Sequence, residues 1–161
     1  MKIFIYILIG VILGVAFTVI TVIKIFPSQM IISQESLFGY KETVKMIEEK
    51  TEESGWAIMK EWDLTKRMIN AGYDDAPTVK VLELCQVRYT YDILCNKDDR
   101  FISAIMPYRI AVYELENGKV MISRMNIDLM SRLFSRNIRN VMSKAVEDDH
   151  NILKDIITKS K

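Results

Sequence analysis

The feature that most constrains this chain is a long apolar N-terminal stretch, IFIYILIGVILGVAFTVITVIKIF, which covers residues 3–26 and contains one charged residue, Lys24. Its first 21 residues, Ile3–Ile23, contain no charged side chain. A helix rises about 1.5 Å per residue, so this stretch would span roughly 30 Å, the thickness of a bilayer's hydrocarbon core. A helix also satisfies its own backbone hydrogen bonds in lipid. We therefore predict a single transmembrane anchor over residues 1–26 that ends at Pro27.

The alternative for this stretch is a cleaved signal peptide, whose apolar region is usually about 7–15 residues long and precedes a site of small residues. The stretch is longer, and the FPSQM sequence that ends it offers no such site, which favours an uncleaved anchor. Lys2 and the very short N-terminal tail favour a cytoplasmic N-terminus, although Lys24 and Lys41 oppose that orientation. We expect a cell-membrane protein whose C-terminal domain lies outside the cytoplasm.

The anchor also contains a pattern of small residues. Gly10, Gly14 and Thr18 recur every four residues and so share one face of a helix. This spacing lets two membrane helices approach closely, and it predicts a homodimer. Chance spacing of glycines, which are common in membrane helices, is the alternative.

The rest of the chain has the size and charge of one ordinary domain. Residues 1–26 hold two lysines and no acid, so residues 27–161 carry 20 basic and 21 acidic side chains. This near-neutral balance does not indicate nucleic-acid binding. Residues 27–38 are the only linker-like segment, which is too short for a flexible stalk. We therefore predict a domain over residues 39–161 that lies close to the membrane.

Residue patterns predict alternating helices and strands in the first half of the domain. The predicted elements are a helix at Tyr40–Ser54 capped by Gly55, a strand at Trp56–Trp62, a helical turn at Leu64–Asn70, a loop at Gly72–Pro77 and a strand at Thr78–Cys85. The period of two places Trp56, Ile58 and Trp62 on one face of their strand, with Lys60 as an exception.

The second half is predicted to contain two helices and a hairpin. A helix at Gln86–Cys95 would use Val87, Tyr91 and Leu94 as its apolar face. The predicted hairpin joins Arg109–Leu115 to Lys119–Arg124 through an Asn-Gly turn. One long helix at Leu129–Ile157 would bury the following face: Met130, Phe134, Ile138, Val141, Ala145, Ile152 and Ile156. Together these elements predict an α+β fold, an antiparallel sheet with helices packed on one face.

Three segments in this order resemble domain-of-unknown-function family 302, also called TT1751-like: GYKETVKMIEEKTEESGW, VKVLELCQVRYTYDIL and IMPYRIAVYELENGKVMIS. The resemblance covers nearly the whole domain. It implies a compact, often dimeric α+β fold and no established enzyme activity. Cys85 matches the family's first cysteine, but Gln86-Val87 replaces its Asn-Pro. Tyr108 stands where the family often has a second cysteine, which weakens any prediction of two-thiol or metal chemistry.

The candidate chemical groups are few. Cys85 and Cys95 could form a disulfide outside the cytoplasm, although we favour two small buried apolar residues. Two cysteines and one histidine are too few for a typical zinc site, so we predict neither metal nor cofactor. His150 has no nucleophile assigned to it by sequence and is expected to be an exposed helical residue. The acid pairs Asp74-Asp75 and Asp98-Asp99 are expected to be solvated turns.

A basic stripe of Arg132, Arg136 and Arg139 falls at helical spacing. It could bind an acidic partner or lipid phosphates, although a solvated face is the more ordinary interpretation.

If the domain holds a ligand, we expect it between the end of the Cys85 strand and Pro107. The predicted ligand-binding residues are Cys85, Tyr89, Tyr108 and Arg109, with Tyr91 nearby. Core packing of these side chains is the alternative.

Three functions remain open. The first is a membrane-anchored, homodimeric binding, sensing or accessory module without catalysis. The second is a structural subunit of a larger membrane complex. The third is a thiol- or metal-dependent enzyme centred on Cys85.

Overall fold

The computed structural model describes residues 2–158, apart from the side chains of residues 2, 3, 5, 8, 22, 25 and 26. The outermost residues of the predicted anchor and domain, 1 and 159–161, lie outside the described residues. The helices are α1 (Lys2–Gln29), α2 (Tyr40–Glu53), α3 (Leu64–Asn70), α4 (Val87–Leu94), α5 (Ile127–Ser131) and α6 (Arg136–Leu153), and a 3-10 segment covers Lys97–Ile105. The strands are β1 (Ile31–Glu35), β2 (Ala57–Asp63), β3 (Val79–Cys85), β4 (Tyr108–Glu114) and β5 (Val120–Met125).

The five strands form one antiparallel sheet in the order β1-β5-β4-β3-β2. Alternate residues of its inner strands face α2 and α6, and Leu82, Ile110 and Ile122 on this face are fully buried. The opposite face, which carries Val81 and Ala111, is only half-buried, and we call it the open face. The predicted α+β class with an antiparallel sheet is confirmed.

The N-terminal region differs from the prediction in two places. α1 includes Pro27 and ends two residues later, because the Pro27 carbonyl still accepts a hydrogen bond from Met30 N at 3.2 Å. The stretch expected to be a linker contains β1, which pairs with β5 along its whole length. Within the part of the chain that the structure describes, no helix meets the length and apolarity that crossing a membrane requires. The structure therefore does not support the predicted transmembrane anchor.

Elements with strong local signals fall where they were predicted. α2 buries Val44, Ile47 and Thr51, and Gly55 follows it with a positive φ of 73°, a conformation that glycine adopts without a Cβ clash. α3 has the predicted bounds. The predicted hairpin is β4–β5, and Gly118 in its turn has a φ of 78°.

The prediction that Trp56, Ile58 and Trp62 share a face is wrong for Trp62. Ile58 pairs with Leu84 but Lys60 pairs with Glu83, so β2 has an extra residue, a β-bulge, between them. A shift of one residue turns every later side chain to the other face. Trp62 therefore lies on the open face, where Lys60 Nζ sits 3.9 Å from its ring centroid.

The predicted apolar face of α4 is wrong for two of its three residues, since only Leu94 packs against the core. Val87 and Tyr91 are exposed, and the buried residue is Ile93, because α4 packs on α6 and the 3-10 segment through its other side. The single C-terminal helix is divided into α5 and α6. Ser135 caps the start of α6 by accepting a hydrogen bond from Ile138 N at 3.3 Å. A capping serine ends the preceding turn and begins a new helix.

Candidate ligand-binding cavity

A cavity of about 520 Å³ lies where β3 ends at Cys85 and β4 begins at Tyr108. Binding sites for small molecules usually enclose about 300–1,000 Å³. α4, α6 and the 3-10 segment close the cavity against the end of the sheet. The principal apolar and aromatic residues of its wall are Trp56, Leu84, Tyr89, Ile93, Ile102, Met106, Pro107, Tyr108, Val141 and Met142.

Three aromatic rings form one side of the cavity. The ring centroid of Trp56 lies 5.9 Å from that of Tyr89 and 6.3 Å from that of Tyr108, and both contacts are edge-to-face. This geometry is the favourable one for aromatic pairs, because the positive edge of one ring meets the negative face of another. The three rings therefore support one another and give the cavity a rigid wall.

Two consecutive aspartates of α6 hold the polar ends of these rings. Asp148 Oδ2 accepts hydrogen bonds from Trp56 Nε1 at 3.0 Å and from the Tyr89 hydroxyl at 2.9 Å. Asp149 Oδ1 accepts a hydrogen bond from the Tyr108 hydroxyl at 2.7 Å. All three ring donors are thus bound to protein carboxylates.

Asp149 also belongs to a buried ion pair. Arg124 Nε donates to Asp149 Oδ2 at 2.8 Å, and Arg124 Nη1 donates to Gln34 Oε1 at 2.8 Å. The chain of contacts runs from the cavity wall at Tyr108 through α6 and β5 to Gln34 on β1. Breaking a buried pair of this kind leaves one charge uncompensated, so the four side chains are expected to hold one arrangement.

Burial keeps the two tyrosines neutral. It raises the pKa of Tyr108 well above its ordinary value, and the adjacent negative charge of Asp149 adds to the effect. Burial also raises the pKa of Tyr89, with a further contribution from its hydrogen bond to Asp148. Both hydroxyls therefore act as hydrogen-bond donors at physiological pH.

Polar groups are concentrated around the cavity on the side of the open face. Lys60, Glu83 and Cys85 are lining residues there. Glu83 is paired with Arg109, whose Nε and Nη2 lie 3.0 and 2.9 Å from Glu83 Oε1. The Cys85 thiol is half-buried and lies 3.3 Å from the Thr90 hydroxyl.

The structure brings most of the sequence-predicted ligand residues together. Cys85, Tyr89 and Tyr108 line the cavity, whereas Arg109 lies beside it and contacts it through Glu83. Tyr91 is exposed on the outer side of α4. A ligand-binding role for these residues stays a prediction.

Sequence reasoning missed Trp56, Asp148 and Asp149 as site residues. The periodicity of α6 contained the missing signal, because Asp148 and Asp149 follow buried Ala145 by three and four positions and so share its face. Carboxylates on a buried helical face need donors, and here the aromatic rings and Arg124 supply them.

Asp99 departs from the predicted solvated turn. It is only 2% exposed and accepts hydrogen bonds from the side chains of Asn137, Ser135 and Asn96 at 2.8 Å each. The hydrogen bond from Asn137, followed by that from Ser135, lowers the pKa of Asp99. Asp99 thereby fixes the 3-10 segment to the start of α6, which closes one side of the cavity.

The remaining predictions concern the two cysteines as a pair, the three arginines and His150. Cys85 and Cys95 are not paired, and Cys95 is exposed rather than buried. The three arginines are exposed, but they do not form one helical stripe because Arg132 precedes α6. Arg132 Nη2 donates to Asp128 Oδ2 at 2.6 Å, and the Arg132 carbonyl accepts a hydrogen bond from Arg139 Nη2 at 2.9 Å. His150 is exposed at the end of α6.

The small-residue face of α1 makes no tertiary contact at its glycines. Added Cβ atoms at Gly10 and Gly14 would meet nothing within 4 Å. The hydroxyl of Thr18 donates to the Gly14 carbonyl at 2.8 Å within the helix. Homodimerisation through this face stays a prediction.

The Cys85 thiol has a hydroxyl as its polar neighbour. Thr90, the partner of Cys85, is a hydroxyl that cannot serve as a general base at neutral pH. Among the described residues no group of three or more His, Cys, Asp or Glu side chains could hold a metal ion. What the geometry offers is a partly open, mainly apolar cavity with polar residues at its border.

The fold and cavity define a class, namely a small α+β domain with a ligand-sized cavity at one end of an antiparallel sheet. Residues 32–159 match the family described as Domain of unknown function DUF302, and the chain belongs to that family. A crystal structure of an uncharacterised conserved DUF302 protein from Bacillus stearothermophilus shares the fold, with a TM-score of 0.68 and 16% identity over 78% of this chain and 97% of that one. No curated protein matches the chain significantly.

Proposed function

We propose that this chain is a non-catalytic, membrane-anchored binding module whose cavity holds a small apolar molecule. The observation that carries the proposal is the cavity of about 520 Å³ between the sheet end and α4. Burial of apolar ligand surface contributes about 25 cal/mol per Å², and a cavity of this size can bury much of the surface of a small apolar molecule.

The polar contacts favour an apolar ligand. Trp56, Tyr89 and Tyr108 direct their donors to Asp148 and Asp149, so the parts of the rings that remain for the cavity are carbon surfaces. A ligand with many polar groups would lose its hydration there without gaining partners, which is costly. Lys60 and the ion pair of Glu83 with Arg109 are the charged groups beside the cavity, where a single polar group of the ligand would lie.

The support for an anchor comes from the sequence of α1. Its uncharged stretch is as long as a bilayer core is thick, and the described apolar side chains from Phe4 to Ile23 lie mostly in solvent-exposed positions. The side chains of several other apolar residues of α1 are not among those that the structure describes. Apolar side chains in exposed positions along a helix are unfavourable in water and favourable in lipid. We place the domain outside the cytoplasm, and cleavage of the domain by protease added to intact cells is the expected result.

The ligand proposal is tested by thiol protection in full-length protein. The Cys95→Ser variant leaves Cys85 in the cavity wall, and Cys85→Ser leaves exposed Cys95 outside it. Digitonin is a suitable detergent because it lacks alkyl chains that would fill the cavity. We expect 1-dodecanol to slow alkylation of Cys85 by iodoacetamide and to leave the rate at Cys95 unchanged. An unchanged rate at Cys85 would refute the proposed ligand site.

The homodimer part of the proposal rests on the face of Gly10, Gly14 and Thr18. Gly14→Leu would separate two packed helices, so we expect less cross-linked dimer in vesicles containing the full chain. Ala16→Leu, the same enlargement of a small residue at an exposed position on the opposite side of the helix, is the matched control. Equal cross-linking of both variants and the wild type would remove this face from the proposal.

A second candidate is a subunit of a larger membrane complex. It is favoured by Val87 and Tyr91, which form an exposed apolar pair one turn apart on α4. Recovery of a stoichiometric partner by mild-detergent pull-down, lost in a Val87→Ser/Tyr91→Ser variant, is its expected outcome. Recovery of the chain alone would argue against it.

A further inference from the structure

The end of α1 and the cavity lie at the same end of the sheet. Asn126, the residue after β5, holds the end of α1: its N donates to Met30 O at 2.8 Å, and its Nδ2 donates to Gln29 O at 2.9 Å. The residues on either side of Asn126, Met125 and Ile127, both line the cavity. The cavity wall and the end of the helix therefore share one short segment of chain.

The register of the sheet gives the approximate distance between the end of α1 and the aromatic wall of the cavity. Ile31, two residues after α1, pairs directly with Met125. β4 is the next strand beyond β5, so its first residue, Tyr108, lies about 10 Å from β1 at a spacing of about 4.8 Å per strand. The distance from the helix end to the aromatic wall is thus smaller than the thickness of a lipid monolayer's hydrocarbon core, which is about 15 Å.

Several apolar side chains are exposed at this end of the sheet. Ile31 is exposed beside half-buried Met125, and Leu133 is exposed just beyond α5. Met59, which lines the cavity from β2, is also exposed. Apolar side chains at a membrane surface can enter the interfacial layer, whereas the same residues in water gain nothing.

We propose that the cavity accepts an acyl chain of a phospholipid from the bilayer in which α1 sits. This inference rests on the proposed function, since it assumes both the anchor and the apolar ligand site. The chain would pass the Ile31–Met125 pair and lie against Trp56, Tyr89 and Tyr108. The headgroup would stay outside, in water, because the ring donors of the wall are already bound to Asp148 and Asp149.

Trp56 provides a direct test, because the chain contains two tryptophans and only Trp56 lines the cavity. The full chain carrying Trp62→Phe is placed in nanodiscs of phosphatidylcholine with brominated acyl chains, or with ordinary chains. Bromine quenches tryptophan emission on contact. We expect Trp56 to lose most of its emission in the brominated nanodiscs only. The Trp56→Phe variant, which reports Trp62 on the open face, should keep its emission.

Cavity-filling variants separate occupancy from proximity to the bilayer. Thr90→Phe and Ala145→Leu each place a larger side chain in the wall, and either should restore Trp56 emission. Ser143→Phe, at an exposed position of α6 outside the cavity, is the matched control and should leave the quenching intact. Persistent quenching in both filled variants, or none in the starting protein, would overturn the proposal.

The outcomes also distinguish this inference from the proposed function. If 1-dodecanol protects Cys85 but brominated phospholipid does not quench Trp56, the ligand site stands and the bilayer source is wrong. Quenching by a brominated fatty acid added from water, without quenching by phospholipid, would likewise overturn the bilayer source. Failure of both the thiol and the fluorescence experiments would remove the ligand site itself.

Discussion

The two ends of one sheet are built from similar residues but are packed differently. At the packed end, defined by Val44, Ile47, Val112, Val120 and Ile156, α2 and the C-terminal turn cover the strands, and a smaller pocket of about 310 Å³ lies beside the start of α2. At the cavity end, defined by Ile93, Ile102, Ile138 and Val141, the cover is α4, the 3-10 segment and α6. There the same kind of aliphatic side chains surrounds about 520 Å³ of space.

The difference follows from the lengths of the covering elements. α2 has 14 residues and presents four buried side chains, whereas α4 has eight residues and buries only Ile93. A helix of two turns cannot cover the end of a twisted sheet by itself, and a 3-10 segment packs with poorer geometry. Asp148, Asp149 and Asp99 hold these short elements in place through hydrogen bonds. The free energy gained by close packing at one end thus offsets the cost of an unfilled volume at the other.

The largest expected difference comes from the same truncation made at each end. Ile47 is 0% exposed in the packed end and Ile93 is 4% exposed in the cavity wall. Ile47→Ala should cost about 3 kcal/mol of unfolding free energy, within the usual range for buried isoleucine. Ile93→Ala should cost about 1–2 kcal/mol, because atoms beside an existing void have fewer partners to lose. Urea unfolding of the full chain in micelles measures both.

Equal losses for Ile47→Ala and Ile93→Ala would contradict the distinction between the two ends. The result would mean that the cavity is filled, either by the protein's own side chains or by a ligand retained during purification. Repeating the measurement with Thr90→Phe as background separates these cases, since that variant removes the space itself.

A smaller effect tests whether the buried polar groups of the packed end all have hydrogen-bond partners. Thr43 and Thr51 lie on α2, and both are 0% exposed. Thr43 Oγ1 is within hydrogen-bond distance of Ser36 Oγ at 2.6 Å and donates to Phe38 O at 3.2 Å, but Thr51 Oγ1 has no partner. Thr43→Val should therefore cost about 1–2 kcal/mol, and Thr51→Val should be neutral or stabilise by up to about 1 kcal/mol.

Each threonine variant is the control for the other, because the substitution, the helix and the burial are the same. Thermal unfolding of the two full-length variants side by side gives the sign of each effect. A loss of stability in Thr51→Val as large as that in Thr43→Val would show that Thr51 Oγ1 has a bound partner, such as water, that the packed end must accommodate.

The sequence predicted the packed end better than the cavity end because its signals are local. The spacing of Val44, Ile47 and Thr51 and the glycine after α2 define that helix without reference to the rest of the chain. The Asn-Gly turn likewise defined the β4–β5 hairpin. These patterns reflect the helix period and turn chemistry, which tertiary contacts did not override.

The cavity end depends on contacts between residues far apart in sequence. Asp148 meets Trp56 across 92 positions and Tyr89 across 59. No spacing rule predicts such pairs, and the bulge in β2 further reversed the expected face of Trp62. Three of the four predicted ligand residues nevertheless line the cavity, because Cys85 and Tyr108 end and begin neighbouring strands. Strand ends were therefore the informative signal, and helix faces were not.

The smallest expected effect concerns Tyr108, a residue of the cavity wall. Tyr108→Phe removes the hydroxyl that binds Asp149, while Asp149 keeps its ion pair with Arg124. At neutral pH we expect a loss of about 1 kcal/mol. Burial raises the pKa of Tyr108 in the folded state, so its contribution is complete below the unfolded pKa of about 10 and is lost as pH rises through the folded pKa.

Wild-type stability should therefore fall more steeply with pH above about 10 than that of Tyr108→Phe. The gap between the two proteins should narrow as pH rises. Thr43→Val is the control, since it lowers stability without removing a titrating group and should keep the wild-type alkaline slope. Chemical denaturation between neutral and alkaline pH gives all three profiles. Parallel profiles for wild type and Tyr108→Phe would show that Tyr108 is hydrated through the cavity, which would make the wall wet rather than apolar.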